Sequence, residues 1–318
     1  MSNSRKKTVA FYEIVRSKEA GDIRIPYQID WPAVLKNLED IDPTERRYRN
    51  GDDVFYAEPI MAEEGHHLAL ARLRDGELHE IDWAKGIGRL NLANNKSVAD
   101  TSIFCFLPFG NIIGVLQGSV SAPRPTAFQR WLNGNNQTGI SEELAVMPLI
   151  GKNAWEKLKK AEAVNLFEMR LRPGPLILPG ETEGLASFSR EAHKANPDAL
   201  VTLTIKIPRG RGYRDSLRSR AERRLRNDVE GFLSQHGGLI GPDGSVDRAI
   251  AHVILSSSDG ELEEDKINFV SNHITAKKNV TLRRSRGNAP WYEAAVRAVL
   301  QASADREQAL RDAVSALP

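Results

Sequence analysis

The sequence predicts an α+β fold, with mostly antiparallel sheets and helices packed against them. Three observations carry this. Phe167, Met169 and Leu171 alternate with Glu168, Arg170 and Arg172, and Val201, Leu203, Ile205 and Ile207 alternate with Thr202, Thr204 and Lys206. This is the period-two pattern of half-buried strands. Tight-turn signals at Asp75-Gly76 and Gly110-Asn111 separate apolar runs and predict hairpins. Hairpins outnumber strand–helix–strand units, which favours antiparallel pairing over parallel crossovers.

In chain order, residues 9–15 are apolar and aromatic and predict a first strand, followed by a polar turn through Lys18 and Gly21. Residues 31–38 predict a helix: Val34, Leu35 and Leu38 share a face, and Pro32 suits a first helical turn. Residues 67–81 predict a hairpin around Asp75-Gly76, and residues 103–107 with 112–117 predict a second strand pair. Pro123 and Pro125 precede a short helix over 126–132 and a polar loop over 133–139. An amphipathic helix is expected over 153–163 and a polar, Ala-rich one over 185–196. Pro173, Gly174, Pro175, Pro179 and Gly180 mark a hinge. The expected organisation is therefore an N-terminal α+β domain over 1–172, a hinge over 173–180 and a C-terminal α+β domain over 181–318, or one continuous domain.

A long helix over 214–235 follows the Arg209-Gly210-Arg211-Gly212 loop. Strands over 248–256 and 267–270 flank the Asp259-Gly260 turn, and a helix over 291–317 follows. Trp291, Val296, Val299 and Leu300 on that helix are a candidate dimer element.

With 318 residues, 41% of them hydrophobic and 27% charged, the chain can bury a sizeable core. No apolar run approaches the ~20 residues of a membrane helix. Met1 to Lys7 is polar and basic, with no signal-type apolar stretch after it, so a cytoplasmic protein that does not span a membrane is expected. Cys105 is the one cysteine, which excludes intrachain disulfides and a Cys-based metal site. Its apolar neighbours Phe104 and Phe106 predict a buried, inert thiol.

The net charge is only +2, yet it is unevenly laid out. Lys206, Arg209, Arg211, Arg214, Arg218, Arg220, Arg223, Arg224 and Arg226 stand against two acids, Asp215 and Glu222, which makes +7 in 21 residues. A second run, Lys277, Lys278, Arg283, Arg284 and Arg286, contains no acid. The remainder is net acidic, and concentrated Arg in such a chain is the footprint expected for a phosphate backbone. On the 214–235 helix, Leu217, Ala221, Leu225, Val229 and Phe232 form one buried stripe, and Arg220, Arg223 and Arg224 project opposite to it. Arg suits phosphate because its planar fork makes two hydrogen bonds to it. The alternatives for this face are an acidic protein surface and plain solvation; a solvated face normally mixes signs at i, i+4. Trp131, beside Arg130 and downstream of Arg124, is either core or a base-stacking ring.

Catalytic constellations are weak. His66 and His67, near Glu63 and Glu64, point apart in a strand, so they do not readily share an ion. Gly86-Ile87-Gly88 lacks the third glycine of a dinucleotide loop. Glu261, Glu263, Glu264 and Asp265 suit an exposed turn better than a metal-binding cluster. No cofactor or metal is expected. The runner-up functions are a toxin-like metal-dependent nuclease and an adaptor that docks an acidic protein.

Three stretches in order resemble the RexA phage-exclusion family: Phe11-Tyr12-Glu13-Ile14-Val15-Arg16-Ser17-Lys18 with Gly21; Ile113-Gly114 through the Pro-containing connection to Trp131-Leu132; and Met147-Pro148-Leu149-Ile150. The alternating strand at 201–207, the basic stretch after it and the Asp259-Gly260 region are similar to the same pattern. The resemblance implies a RexA/RdgC-like fold and a homodimer that binds double-stranded DNA without sequence preference in anti-phage defence. It also implies a membrane-protein partner encoded nearby. The Arg-Gly-Arg-Gly loop and the helix after it are more basic than the family pattern, so the candidate site rests on charge alone.

Overall fold

The first strand, β1 (Asn3–Arg16), is the spine of the larger sheet. The computed structural model describes residues 3–16, 23–74, 79–82, 86–89, 96–135, 138–171, 191, 194, 196, 200–208, 215–236, 246–256, 262–282 and 289–316. After β1 come β2 (Ile23–Arg24), α1 (Trp31–Asp40), β3 (Arg47–Asn50), β4 (Asp53–Ala62) and β5 (Gly65–Leu73). Next are β6 (His79–Asp82), β7 (Gly86–Arg89), β8 (Ala99–Phe106), β9 (Ile112–Gln117) and α2 (Pro125–Asn135). The middle of the chain forms β10 (Leu144–Pro148), α3 (Lys152–Lys160), β11 (Ala163–Leu171) and β12 (Val201–Lys206). Then follow α4 (Asp215–His236), β13 (Val246–Ser256), β14 (Leu262–Asn268), β15 (Thr275–Leu282) and α5 (Ala289–Ala316). The fold is α+β, with antiparallel pairing throughout the described strands.

Among the described residues the larger sheet has nine strands, in the order β10-β1-β9-β8-β5-β4-β3, with β15 and β2 also paired to β1. β15 pairs Asn3 to Ala10 of β1, and β10 takes over on the same edge from Tyr12 to Arg16. The two meet at Phe11: its N–H donates to the Ile274 carbonyl (3.2 Å), and its carbonyl accepts from the Leu149 N–H (3.0 Å). Both faces of β1 are covered. Ala10, Tyr12 and Ile14 lie in the core beneath α1 and α2, and Val9 and Phe11 lie in the core beneath α5. A strand buried on both faces reads as a near-continuous apolar run, which is why 9–15 is so clear in sequence.

Helix α1 starts where expected: the Asp30 carboxylate accepts from the Ala33 N–H (3.1 Å), and Pro32 occupies the first turn. Gly114 on β9 is required by close packing. A methyl group there would collide with Val299 Cγ1 of α5 and crowd the Phe11 ring. Gly114→Ala is therefore expected to cost about 1–3 kcal/mol by overpacking, read as a lowered urea midpoint at unchanged m-value.

The second sheet runs β12-β11-β13-β14. Helices α3 and α4 cover one face, where Trp155, Leu158, Phe167, Met169, Leu225, Val229, Phe232 and Leu233 form a separate core. The alternation expected at 167–171 and 201–207 is present, with Phe167, Met169 and Leu171 buried.

Several expectations need correction. The strand at 67–73 does not pair with the segment after it: β5 lies between β4 and β8, and β6 pairs with β7. The hairpin turn that matters is Glu63-Glu64, where both residues have positive φ (47° and 60°) and Ala62 faces Gly65. Two glutamates in the left-handed region carry no turn signature. A division at 172/181 does not follow the packing either. β11 already belongs to the second sheet, and β15 and α5 return to the first. The candidate dimer residues Val296 and Val299 are fully buried against their own sheet. Residues 263–265 lie in β14, an edge strand, and not in a turn. The Lys18/Gly21 turn, Asp75-Gly76, the hinge, most of the 185–196 helix, the Arg209–Gly212 loop and Asp259-Gly260 lie outside the described residues. No helix among the described residues is long and apolar enough to cross a membrane.

Candidate nucleic-acid interface

Helix α4 is built as its sequence pattern requires. Leu225, Val229, Phe232 and Leu233 face the second sheet, with the Phe232 ring 6.3 Å from that of Phe167. At about 100° per residue, Arg220, Arg223 and Arg224 fall on the opposite side of the helix. All three are exposed, and none forms an ion pair among the described residues.

Arg226 serves a different purpose. Its guanidinium donates to the Ala161 carbonyl (2.9 Å) and to Asn227 Oδ1 (3.3 Å). Ala161 is the C-cap of α3, so Arg226 places a cation at the negative end of that helix and ties the two helices together. Of the candidate phosphate ligands, Arg226 thus has part of its guanidinium committed to the fold. Lys278 is engaged in the same manner, its ammonium 2.6 Å from Asp305 on α5. Arg218 lies on α4; Arg209, Arg211, Arg214, Arg283, Arg284 and Arg286 lie outside the described residues.

The fold also adds cations that were not singled out from sequence. An open cleft of about 350 Å³ is lined by Lys159, Lys160, Glu162, Arg223, Arg226 and Asn227. It joins the last turn of α3 to α4, although the two are far apart in the chain. Three lysines in the last turn of a helix (Lys157, Lys159, Lys160) are the usual complement to the helix dipole, so sequence carried no separate signal.

A second basic surface forms where β1 and β15 run on past β9 as a two-stranded ribbon. Lys6 pairs with Asn279 and Thr8 with Lys277, and all four residues are exposed. On the other face Lys7 sits directly across from Lys278, a repulsive arrangement. It is relieved because Lys7 donates to the Gly118 carbonyl (2.7 Å) and Lys278 turns to Asp305. Lys277 thus has N-terminal company in Lys6 that its own sequence run does not reveal.

The other chemical candidates disperse. Trp131 is 1% exposed and packs against Phe128 in the core, which removes it as a base-stacking ring. Burial pushes the Cys105 thiol far up, leaving it protonated and inert. His67 is buried between Ile60 and Cys105 on the neighbouring strands, whereas its neighbour His66 points to the other side of β5. Glu264 contacts His252 (3.1 Å) and Asp265 contacts Lys157 (2.6 Å), on opposite faces of β14. Among the described residues no three His, Cys, Asp or Glu side chains are grouped to hold a metal ion. No protein-family model and no curated protein matches this sequence.

Proposed function

We propose that this protein binds double-stranded DNA through its phosphates, with little base readout, and that it does so in phage exclusion. The observation that carries the binding is the outward row of Arg220, Arg223 and Arg224, exposed and without ion pairs among the described residues. Three unpaired guanidiniums on one helix face repel one another and gain most from a polyanion that neutralises them together. Lys159 and Lys160 beside α4, and Lys6 and Lys277 on the ribbon, extend the basic surface. The phage-exclusion role, a homodimeric state and a membrane-protein partner are what the resemblance to the RexA family supports.

The test is binding of the purified protein to a labelled 40-base-pair duplex across a salt series, with and without Mg²⁺. If about six phosphates are neutralised, log K falls with log salt at a slope near −5, equally for unrelated sequences. Intact DNA with no binding at low salt rejects the proposal in favour of a protein partner. Mg²⁺-dependent cleavage rejects it in favour of a nuclease.

A further inference from the structure

A second cluster of cations lies away from α4, on the first sheet. Arg72, Arg124 and Arg130 line a cleft of about 210 Å³ with Asp53, Phe55, Thr126 and the connection before α2. Arg72 is accounted for: its guanidinium holds Asp53 Oδ1 at 2.8 and 2.6 Å. The next arginine along the strand direction, Arg74, is likewise matched to Asp100 through two hydrogen bonds of 2.6 and 2.9 Å. Arg124 and Arg130 differ. Both are half-buried, and neither forms an ion pair or a side-chain hydrogen bond among the described residues.

The cleft is therefore left with two uncompensated positive charges on planar, five-donor groups. Burial works against the charge of Arg130, and Asp53, already held by Arg72, offsets this only in part. Half-buried guanidiniums without a partner are costly, so an anion that enters the cleft recovers that cost as binding. Two guanidinium forks match the geometry of a phosphoryl group better than that of a spherical ion. The volume is below the ~300–1,000 Å³ typical of sites for drug-sized ligands. It suits a phosphoryl group with a small substituent, and an intact duplex is far too wide to enter.

We infer that the Arg124–Arg130 cleft binds a terminal phosphoryl dianion, that is, a phosphomonoester. The group has two sources, a free small monoester or the 5′-phosphate at the end of a nucleic-acid strand. This site is distinct from the α4 surface and does not depend on it.

Thermal unfolding of the full chain at pH 7.5 tests it, with inorganic phosphate or glycerol phosphate as probe against chloride at equal ionic strength. At about ten times Kd the probe is expected to raise Tm by about 2 °C. Arg124→Gln and Arg130→Gln should abolish the rise, and the combined Arg220→Ala, Arg223→Ala and Arg224→Ala variant should keep it. Arg124→Gln removes a side chain without hydrogen bonds or ion pairs among the described residues, so it carries the test even if Arg130→Gln fails to fold. At pH 5, where a monoester with a second pKa near ~6 is mostly singly charged, the rise should shrink. A 5′-phosphorylated duplex that binds several-fold tighter than its 5′-hydroxyl counterpart identifies a strand end as the occupant; equal affinity together with the Tm rise identifies a free monoester. A Tm change matched by chloride, or retained in Arg124→Gln, overturns the inference.

Discussion

Replacing Arg220, Arg223 and Arg224 together by alanine is expected to weaken duplex binding on the order of 10²–10³-fold near 0.1 M salt, because each phosphate contact carries roughly 0.9 in the log–log salt slope. The same triple change should flatten that slope by about 3 and affect all sequences alike, since these contacts position the duplex without reading it. Fold stability should be nearly unchanged, because the three side chains are exposed and make no ion pairs among the described residues. Arg226→Ala is the informative contrast. It removes the tie to the Ala161 carbonyl, so it should lower the urea midpoint while leaving most of the salt slope intact. A triple variant that binds DNA as wild type does would remove α4 from the interface.

Acid should destabilise the native chain well above the pH at which carboxylates titrate. Two histidines are buried neutral, with pKa values lowered from 6.5 to about 4 chiefly by burial. His67 lies against Gly65; the adjacent His66 adds a smaller lowering, and the Ala62 carbonyl only partly opposes the shift. His273 has one ring nitrogen on the Phe11 carbonyl (2.8 Å) and its ring edge-on to Tyr12. Between pH about 6.5 and about 4 the unfolded chain takes up protons at both sites that the folded chain does not, so this contribution to stability falls as pH drops through that window and is fully spent below it. The loss is on the order of 3 kcal/mol per histidine. Urea unfolding at pH 7.5, 6, 5 and 4 measures it, and His67→Leu should remove about half of the dependence. A flat profile across that window would mean that neither imidazole stays neutral in the fold.

What could be read from sequence was what neighbouring residues determine. Residues 9–15, the α1 helix with Pro32 in its first turn, and the alternation at 167–171 are legible because local spacing states which side is apolar. The left-handed Glu63-Glu64 turn was not legible, since tertiary pairing of β4 with β5 holds two residues in a conformation they do not favour. Nor was the strand at Leu262–Asn268, where the charged residues of a solvent-facing edge mimic a polar loop. On the candidate site the same boundary holds. The Arg220, Arg223 and Arg224 face follows from the apolar stripe behind it. By contrast, the engagement of Arg226 and Lys278 depends on a carbonyl and a carboxylate that only packing brings near. Lys159, Lys160 and Lys6 join the basic surfaces for the same reason.

The seam at β1 sets the order of events during synthesis. Phe11 receives the His273 ring across 262 residues of chain, and most of the edge of β1 stays open until β15 has been made. A nascent chain must therefore hold this strand edge unpaired while the second sheet and its two helices form. At ribosomal rates of roughly 5–20 residues per second that exposure lasts on the order of tens of seconds. The second sheet, whose strands all fall between β10 and β15, can close on its own in the meantime.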